Sequence, residues 1–156
     1  MLDPAQFFVA GVEAEFGFRL GADLPSRAAP YDREEVSAAV EAVVPVIEIC
    51  DTRLADWRTR RIEEITADNA FNGGLVAGRP LQDWHRLDLA THQVTLSIDG
   101  DRKGAGTGSL VLGHPLLALA WLANELSRRG EGLRAGDLVA AGTCTGLHFA
   151  GPGSTV

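Results

Sequence analysis

The chain has 156 residues, 46% of them hydrophobic, and a mean hydropathy of +0.03, which suits one domain with a real core rather than a disordered or membrane-bound polymer. Its formal net charge of −7 and pI near 5.0, with 14 Lys and Arg against 21 Asp and Glu, argue against binding nucleic-acid phosphates. The N-terminus MLDPAQFFVAG lacks a basic stretch leading into an apolar one, and the two cysteines, Cys50 and Cys144, stand far apart as reduced thiols would. These features predict a cytoplasmic protein with no membrane partner.

Residues 6–20, QFFVAGVEAEFGFRL, are rich in Phe and Val and predict a strand, or a hairpin bent near Gly17. GADLPSRAAP is a loop by composition. A helix is predicted from Asp32, whose side chain can cap it in a box with Glu35, and Val36, Ala39, Val40 and Val43 carry its apolar face. Pro45 is predicted to end that helix, and VIEIC to follow as a buried strand. Residues 51–65 hold four arginines, Arg53, Arg58, Arg60 and Arg61, and read as an exposed stretch. TADNAFNGG is turn-rich, LVAG a short strand and RPLQDWHRLDL a helical turn. The alternation from Thr91 to Ile98, followed by Asp99-Gly100, is a hairpin signal.

Pro115 to about Arg129 is the clearest helix. Proline suits its first turn, Leu116, Leu119, Ala120, Ala123 and Leu126 share a face, and Gly130 can end it in the left-handed conformation. Although apolar, the stretch is interrupted by His114, Pro115, Asn124 and Glu125 and reads as a core helix, not a membrane span. His114 reads as its cap. Trp57, Trp84 and Trp121 read as packing residues. LRAGDLVAAG predicts a turn and a strand, and GTCTGL a tight loop in which Cys144 has no activator.

Three carboxylates break this apolar pattern. Glu13 and Glu15 stand in FFVAGVEAEFGF and Glu48 in VVPVIEIC, with no Lys or Arg inside either run. Residues two apart on a strand point to the same face, so Glu13 and Glu15 converge while Val12, Ala14 and Phe16 face the other way. Like charges that close repel unless a proton or a cation lies between them, and isolated carboxylates are costly to bury. A hard cation, Mg²⁺ or Mn²⁺, shared with Glu48 would relieve both costs. A solvent-facing strand edge with its glutamates on the polar side is the alternative that the pattern leaves open.

In order along the chain, GVEAEFGF, PVIEICDTR, TADNAFNGGLVAG and GTGSLVLGHPLLALAWLANELSRRGEGLRAGDLVAAGTCTGL resemble the fumarylacetoacetate hydrolase superfamily, most of all its 2-keto-4-pentenoate hydratase branch. The resemblance covers nearly the whole chain. It implies an α+β fold, a mixed β-roll with flanking helices, over residues 1–156 as one catalytic core domain. It implies a metal site on Glu13, Glu15 and Glu48, and a pocket lined by Gly142 and Thr143. By a looser correspondence it places Asn69 near substrate and Asp68 near the metal as a candidate base. The activity implied is divalent-metal-dependent hydration of a 2-oxo-4-enoic acid in aromatic catabolism. A 2-oxo-acid decarboxylase is the nearest alternative.

Members of that branch are longer. The resemblance implies an N-terminal region that carries a proton-transferring lysine and a further strand after GPGSTV. The single lysine here, Lys103, lies in DGDRKG and does not match. A metal-binding but catalytically incomplete partner subunit is therefore a second reading. An unpaired strand edge would further predict a homo-oligomer or association with a family relative.

Overall fold

Strand β1, Gly11–Leu20, is the axis of the main sheet in the computed structural model, which describes residues 6–156. It continues straight through Gly17 as a single strand. Its even-numbered side chains Phe16, Phe18 and Leu20 enter one hydrophobic cluster, and Val12 and Ala14 a second. Strand β2, Val40–Cys50, runs antiparallel beside it in a register that sets Glu13 opposite Glu48, Glu15 opposite Val46 and Gly11 opposite Cys50. Opposed residues of an antiparallel pair share a face, so Glu13, Glu15, Glu48 and Cys50 all lie on the odd-numbered side of β1.

Helix α1, Arg33–Ala39, precedes β2. The Asp32 carboxylate accepts the Glu35 N–H and the Glu35 side chain accepts the Asp32 N–H, the reciprocal cap that the sequence predicts. The helix is shorter than predicted. Val40 and Val43 belong to β2, and Pro45 lies inside the strand. Val40, Val43, Val44 and Val46 have stiff β-branched side chains that pack well on a pleated surface, and all four are buried. Pro45 is tolerated because its missing donor falls just past the neighbouring strand β3, Asn72–Ala77. There the Pro45 carbonyl still accepts the Gly78 N–H at 2.8 Å.

Between β2 and β3 the chain forms a short 3-10 turn at Trp57–Thr59 and helix α2, Ile62–Ala67. Strands β4, Gln93–Ile98, and β5, Asp101–Thr107, form the predicted hairpin, and Asp99 and Gly100 both take positive φ (54° and 85°) as its turn demands. Leu96 and Ile98 of β4 close the second cluster over Val12, Ala14 and Ile49.

Helix α3, Pro115–Arg128, is capped by the His114 ring, which accepts the Leu116 N–H at 3.1 Å, and Gly130 after it has φ +76°. Leu116, Leu119, Ala120 and Ala123 are buried with Phe18, Leu20 and Val36. Fully burying a Leu or Phe contributes roughly 1.5–3 kcal/mol, so this face anchors α3 on the sheet. By composition alone the stretch Gly108–Arg128 is apolar enough to cross a membrane, but its inward face belongs to this core. Trp84 is a packing residue as predicted and Trp57 stacks edge-on against Phe71, whereas Trp121 lies on the outer face of α3 and is 59% exposed. It falls a turn beyond Leu117, outside the stripe that reaches the sheet.

Strand β6, Leu138–Thr143, pairs with β1 opposite β2, and β7, His148–Phe149, pairs with the start of β1. The sheet order is β3-β2-β1-β6, every described ladder is antiparallel, and the fold is α+β.

Candidate metal centre

The carboxylate face is built by two strands and completed by a bulge. Glu13 and Glu48 oppose each other directly, and Glu15 is the next residue of β1 on the same face. Glu15 is only 4% exposed, while Glu13 and Glu48 are half-buried. No Lys or Arg pairs with the three among the described residues. The β1–β6 register slips between Glu15 and Gly17, and in that slip Gly142 takes φ +122°. Only glycine adopts this conformation freely. It turns the Gly142 N–H onto Glu15 Oε2 at 2.8 Å. Bulges re-aim backbone groups in this way.

Electrostatically the group is frustrated. Burial pushes the Glu15 carboxyl up to about 7. The Gly142 N–H opposes the rise, and the carboxyls of Glu48 and Glu13 add to it. Burial, then the facing Glu48, also raises Glu13. A shared proton or a cation satisfies such a set, and oxygen donors of this kind suit a hard divalent ion.

Gly142 thus reaches the site through Glu15. Thr143, the next residue, sits opposite Glu15 in the ladder, and its hydroxyl oxygen accepts the Gly146 N–H at 3.0 Å, shaping the turn after β6. Burial raises Cys144, fully enclosed beside it, to about 11, an inert thiol as predicted.

Asp68 and Asn69 stand elsewhere. The Asp68 carboxylate accepts from Thr52 Oγ1 at 2.6 Å, the Arg53 backbone at 2.9 Å and Arg53 Nε at 2.6 Å, and these donors hold it down to about 2. A carboxylate so engaged is a weak base, and its bonds tie residues 52–53 to the end of α2. Asn69 is exposed and donates to the Asn72 carbonyl. The residue that this segment delivers is Asn72, whose Nδ2 donates to Glu48 Oε1 at 2.9 Å. Asn69, Ala70 and Phe71 all take positive φ just before it (63°, 50° and 67°), a sharp reversal that swings Asn72 into β3 beside Cys50. His148 bonds the Thr145 carbonyl and lies against Gly104 of the hairpin. Lys103 is paired with Asp101.

Sequence reasoning missed two neighbours of the carboxylates. Asn72 depends on the β2–β3 register, for which the sequence holds no signal. Cys50 was within reach, because it is two residues beyond Glu48 on one strand and must share its face. An oxygen each from Glu13 and Glu48 and the Cys50 sulfur all lie within 4.8 Å of one another. A mostly apolar cavity of about 310 Å³ lies between the sheet and the β4–β5 hairpin, lined by Ala14, Ile47, Val76, Val94 and Leu96 from the face of β1 opposite the carboxylates, with Glu15 and Val46 at its edge.

The model of the fumarylacetoacetate (FAA) hydrolase C-terminal family matches residues 5–156. A 2-keto-4-pentenoate hydratase of Paraburkholderia xenovorans (strain LB400) is 40% identical over 142 residues, 91% of this chain and 52% of that protein. A 4-oxalocrotonate decarboxylase of Pseudomonas sp is 35% identical over 157 residues, 99% of this chain and 58% of that protein. Among solved structures, 4-oxalocrotonate decarboxylase from Pseudomonas putida G7, complexed with magnesium and adipate, superposes with a TM-score of 0.88 at 30% identity, covering 98% of this chain and 57% of that one. The chain therefore spans between about half and three-fifths of the length of these relatives.

Proposed function

The chain belongs to the fumarylacetoacetate hydrolase family, and from that premise we propose that it is the metal-binding core of a hydratase that adds water to a 2-oxo-4-enoic acid. The observation that carries the proposal is the row of Glu13, Glu15 and Glu48, convergent on one face of β1 and β2 and without a basic partner among the described residues. On this reading the three carboxylates hold Mg²⁺ or Mn²⁺, which as a Lewis acid supplies polarisation of a 2-oxo acid's carbonyl. The Gly142 N–H fixes the rotamer of Glu15, the Asn72 amide fixes that of Glu48, and the bulge at Gly142-Thr143 bounds the space in front of them.

Decarboxylation of a related 2-oxo acid is the second reading, favoured by the decarboxylase likeness in sequence and structure. A metal-binding partner subunit without turnover of its own is the third reading. Loss of 2-oxopent-4-enoate absorbance with Mg²⁺ or Mn²⁺, abolished by Glu15→Ala, supports the hydratase. Release of CO₂ from 4-oxalocrotonate supports the decarboxylase, and metal binding without either supports the partner subunit. We further propose a homo-oligomer, because Leu110, Leu112, Leu117 and Trp121 expose apolar surface along and just before α3.

A further inference from the structure

The carboxylate row does not end in oxygen. On β2 the order along the odd face is Val46, Glu48, Cys50, and on β1 it is Glu15, Glu13, Gly11. Glu13 and Glu48 form the middle of the row, with Glu15 at one end and the Cys50 thiol at the other. Opposite Cys50 stands Gly11, where a Cβ would come within 2.6 Å of Leu147 Cδ1 and 3.1 Å of the Cys50 Cβ, so a side chain there would crowd this end of the row. Cys50 is only 8% exposed, is not in a disulfide, and its sulfur makes no hydrogen bond among the described residues. A buried thiol with no hydrogen-bond partner among the described residues thus stands within 4.8 Å of two carboxylates.

We propose that Glu13, Glu48 and Cys50 form a second, mixed oxygen–sulfur metal position that takes a thiophilic divalent cation such as Zn²⁺ or Cd²⁺, in competition with the hard cation held by Glu13, Glu15 and Glu48. The inference rests on the reading of those three glutamates as a cation site. Tetrahedral donors bound at about 2.0–2.3 Å to one ion lie about 3.3–3.8 Å apart, so side-chain rotations that draw these atoms, now within 4.8 Å of one another, closer by about 1 Å close the set. Three protein donors leave a fourth tetrahedral position open. Hard ions prefer an all-oxygen set, whereas thiolate selects softer ones. The two positions share Glu13 and Glu48 and so exclude each other. On binding, the Cys50 S–H bond breaks, its proton leaves to the buffer, and a sulfur–metal bond forms with no change of oxidation state.

The test is titration of the purified chain with Cd²⁺ alone and with Mg²⁺ alone, followed by calorimetry and by the ultraviolet thiolate-to-cadmium charge-transfer band. The expected result is one equivalent of Cd²⁺, a band that disappears in Cys50→Val and Cys50→Ser, and a Cd²⁺ affinity weakened about 10–100-fold in both. Excess Mg²⁺ should weaken apparent Cd²⁺ binding in the wild type. Glu15→Gln should weaken Mg²⁺ while leaving the cadmium band, and Mg²⁺ binding by the Cys50 variants reports that they fold. A band that persists without Cys50, no band where Mg²⁺ still binds, or independent binding of the two ions would overturn the mixed position alone. Binding of neither ion by the wild type would overturn the metal-centre reading itself.

Discussion

Glu13 and Glu48 face each other directly across the β1–β2 ladder, with Glu15 next along the same face. Like charges directly opposed on a sheet destabilise it, so without a cation this ladder holds a local repulsion. Glu48→Gln removes the charge and keeps a side-chain oxygen to accept from the Asn72 amide. In metal-free buffer the variant should melt higher than wild type. Mg²⁺ at about one hundred times its Kd should stabilise the wild type by about 2.7 kcal/mol and the variant by far less. Thermal melts with and without Mg²⁺ check both signs, and a variant that melts lower without metal would remove the repulsion from the account.

That relationship was half legible in the sequence. The spacing of Glu13 and Glu15 sets their common face on any strand, and the isolation of Glu48 marks it as anomalous. Register is not written in spacing, so the pairing with Glu48 and the arrival of Asn72 needed the structure. The helix before β2 was overextended because Val36, Ala39, Val40 and Val43 fit a helical stripe, while the β-branched run from Val40 fits a strand equally well. Packing against β1 decided between them. The engagement of Asp68 is not legible in the sequence, because a carboxylate in a turn looks available until its donors, Thr52 and Arg53, are seen.

The pH dependence of the metal-free protein follows from Glu15. Its carboxyl rises from the ordinary 4.5 to about 7 in the folded state, so the fold favours the protonated form. The contribution is fully present below about pH 4.5 and is lost as pH rises through about 7, to the extent of roughly 3 kcal/mol. Carboxylates held down by donors, such as Asp68 near 2, act in the opposite sense but on the acid side of this window. In chelator the melting temperature should therefore fall from about pH 5 to about pH 8, whereas saturating Mg²⁺ should flatten the slope, since the cation replaces the proton. An equal slope with and without Mg²⁺ would detach Glu15 from the metal.

Gly142→Ala tests the bulge. A Cβ there meets nothing closer than Val111 at 3.5 Å, so space is not the obstacle. The obstacle is φ +122°, which a side chain tolerates at about 1–3 kcal/mol. Relaxation of that strain moves the N–H away from Glu15. The expected outcome is a modest fall in stability together with weakened Mg²⁺ affinity. Calorimetry that found unchanged affinity in a destabilised variant would make the Gly142–Glu15 bond purely structural.

Asp68→Asn separates a latch from a base. The variant loses the ion pair with Arg53 but can still accept from Thr52 and the Arg53 backbone. Limited proteolysis should become faster between residues 52 and 72. Mg²⁺ affinity should fall only through looser placement of Asn72, and turnover, where present, should persist at a reduced rate. Loss of turnover with proteolysis unchanged would restore Asp68 as the proton-transferring group.

The outer face of α3 bears on assembly. Leu117 and Trp121 lie one turn apart, 40% and 59% exposed, and Leu110 and Leu112 just before the helix are 66% and 64% exposed. Apolar side chains grouped in this way mark a contact surface more often than a solvated one. The inward face of the same helix is filled by Leu116, Leu119 and Ala123, so polar substitutions on the outer face leave the core intact. In sedimentation the wild type should run as an oligomer, and Leu112→Asp combined with Trp121→Glu should shift it toward monomer with secondary structure retained. An assembly unaffected by both changes would place the subunit contact on another surface, and a wild-type monomer at all concentrations would remove the contact altogether.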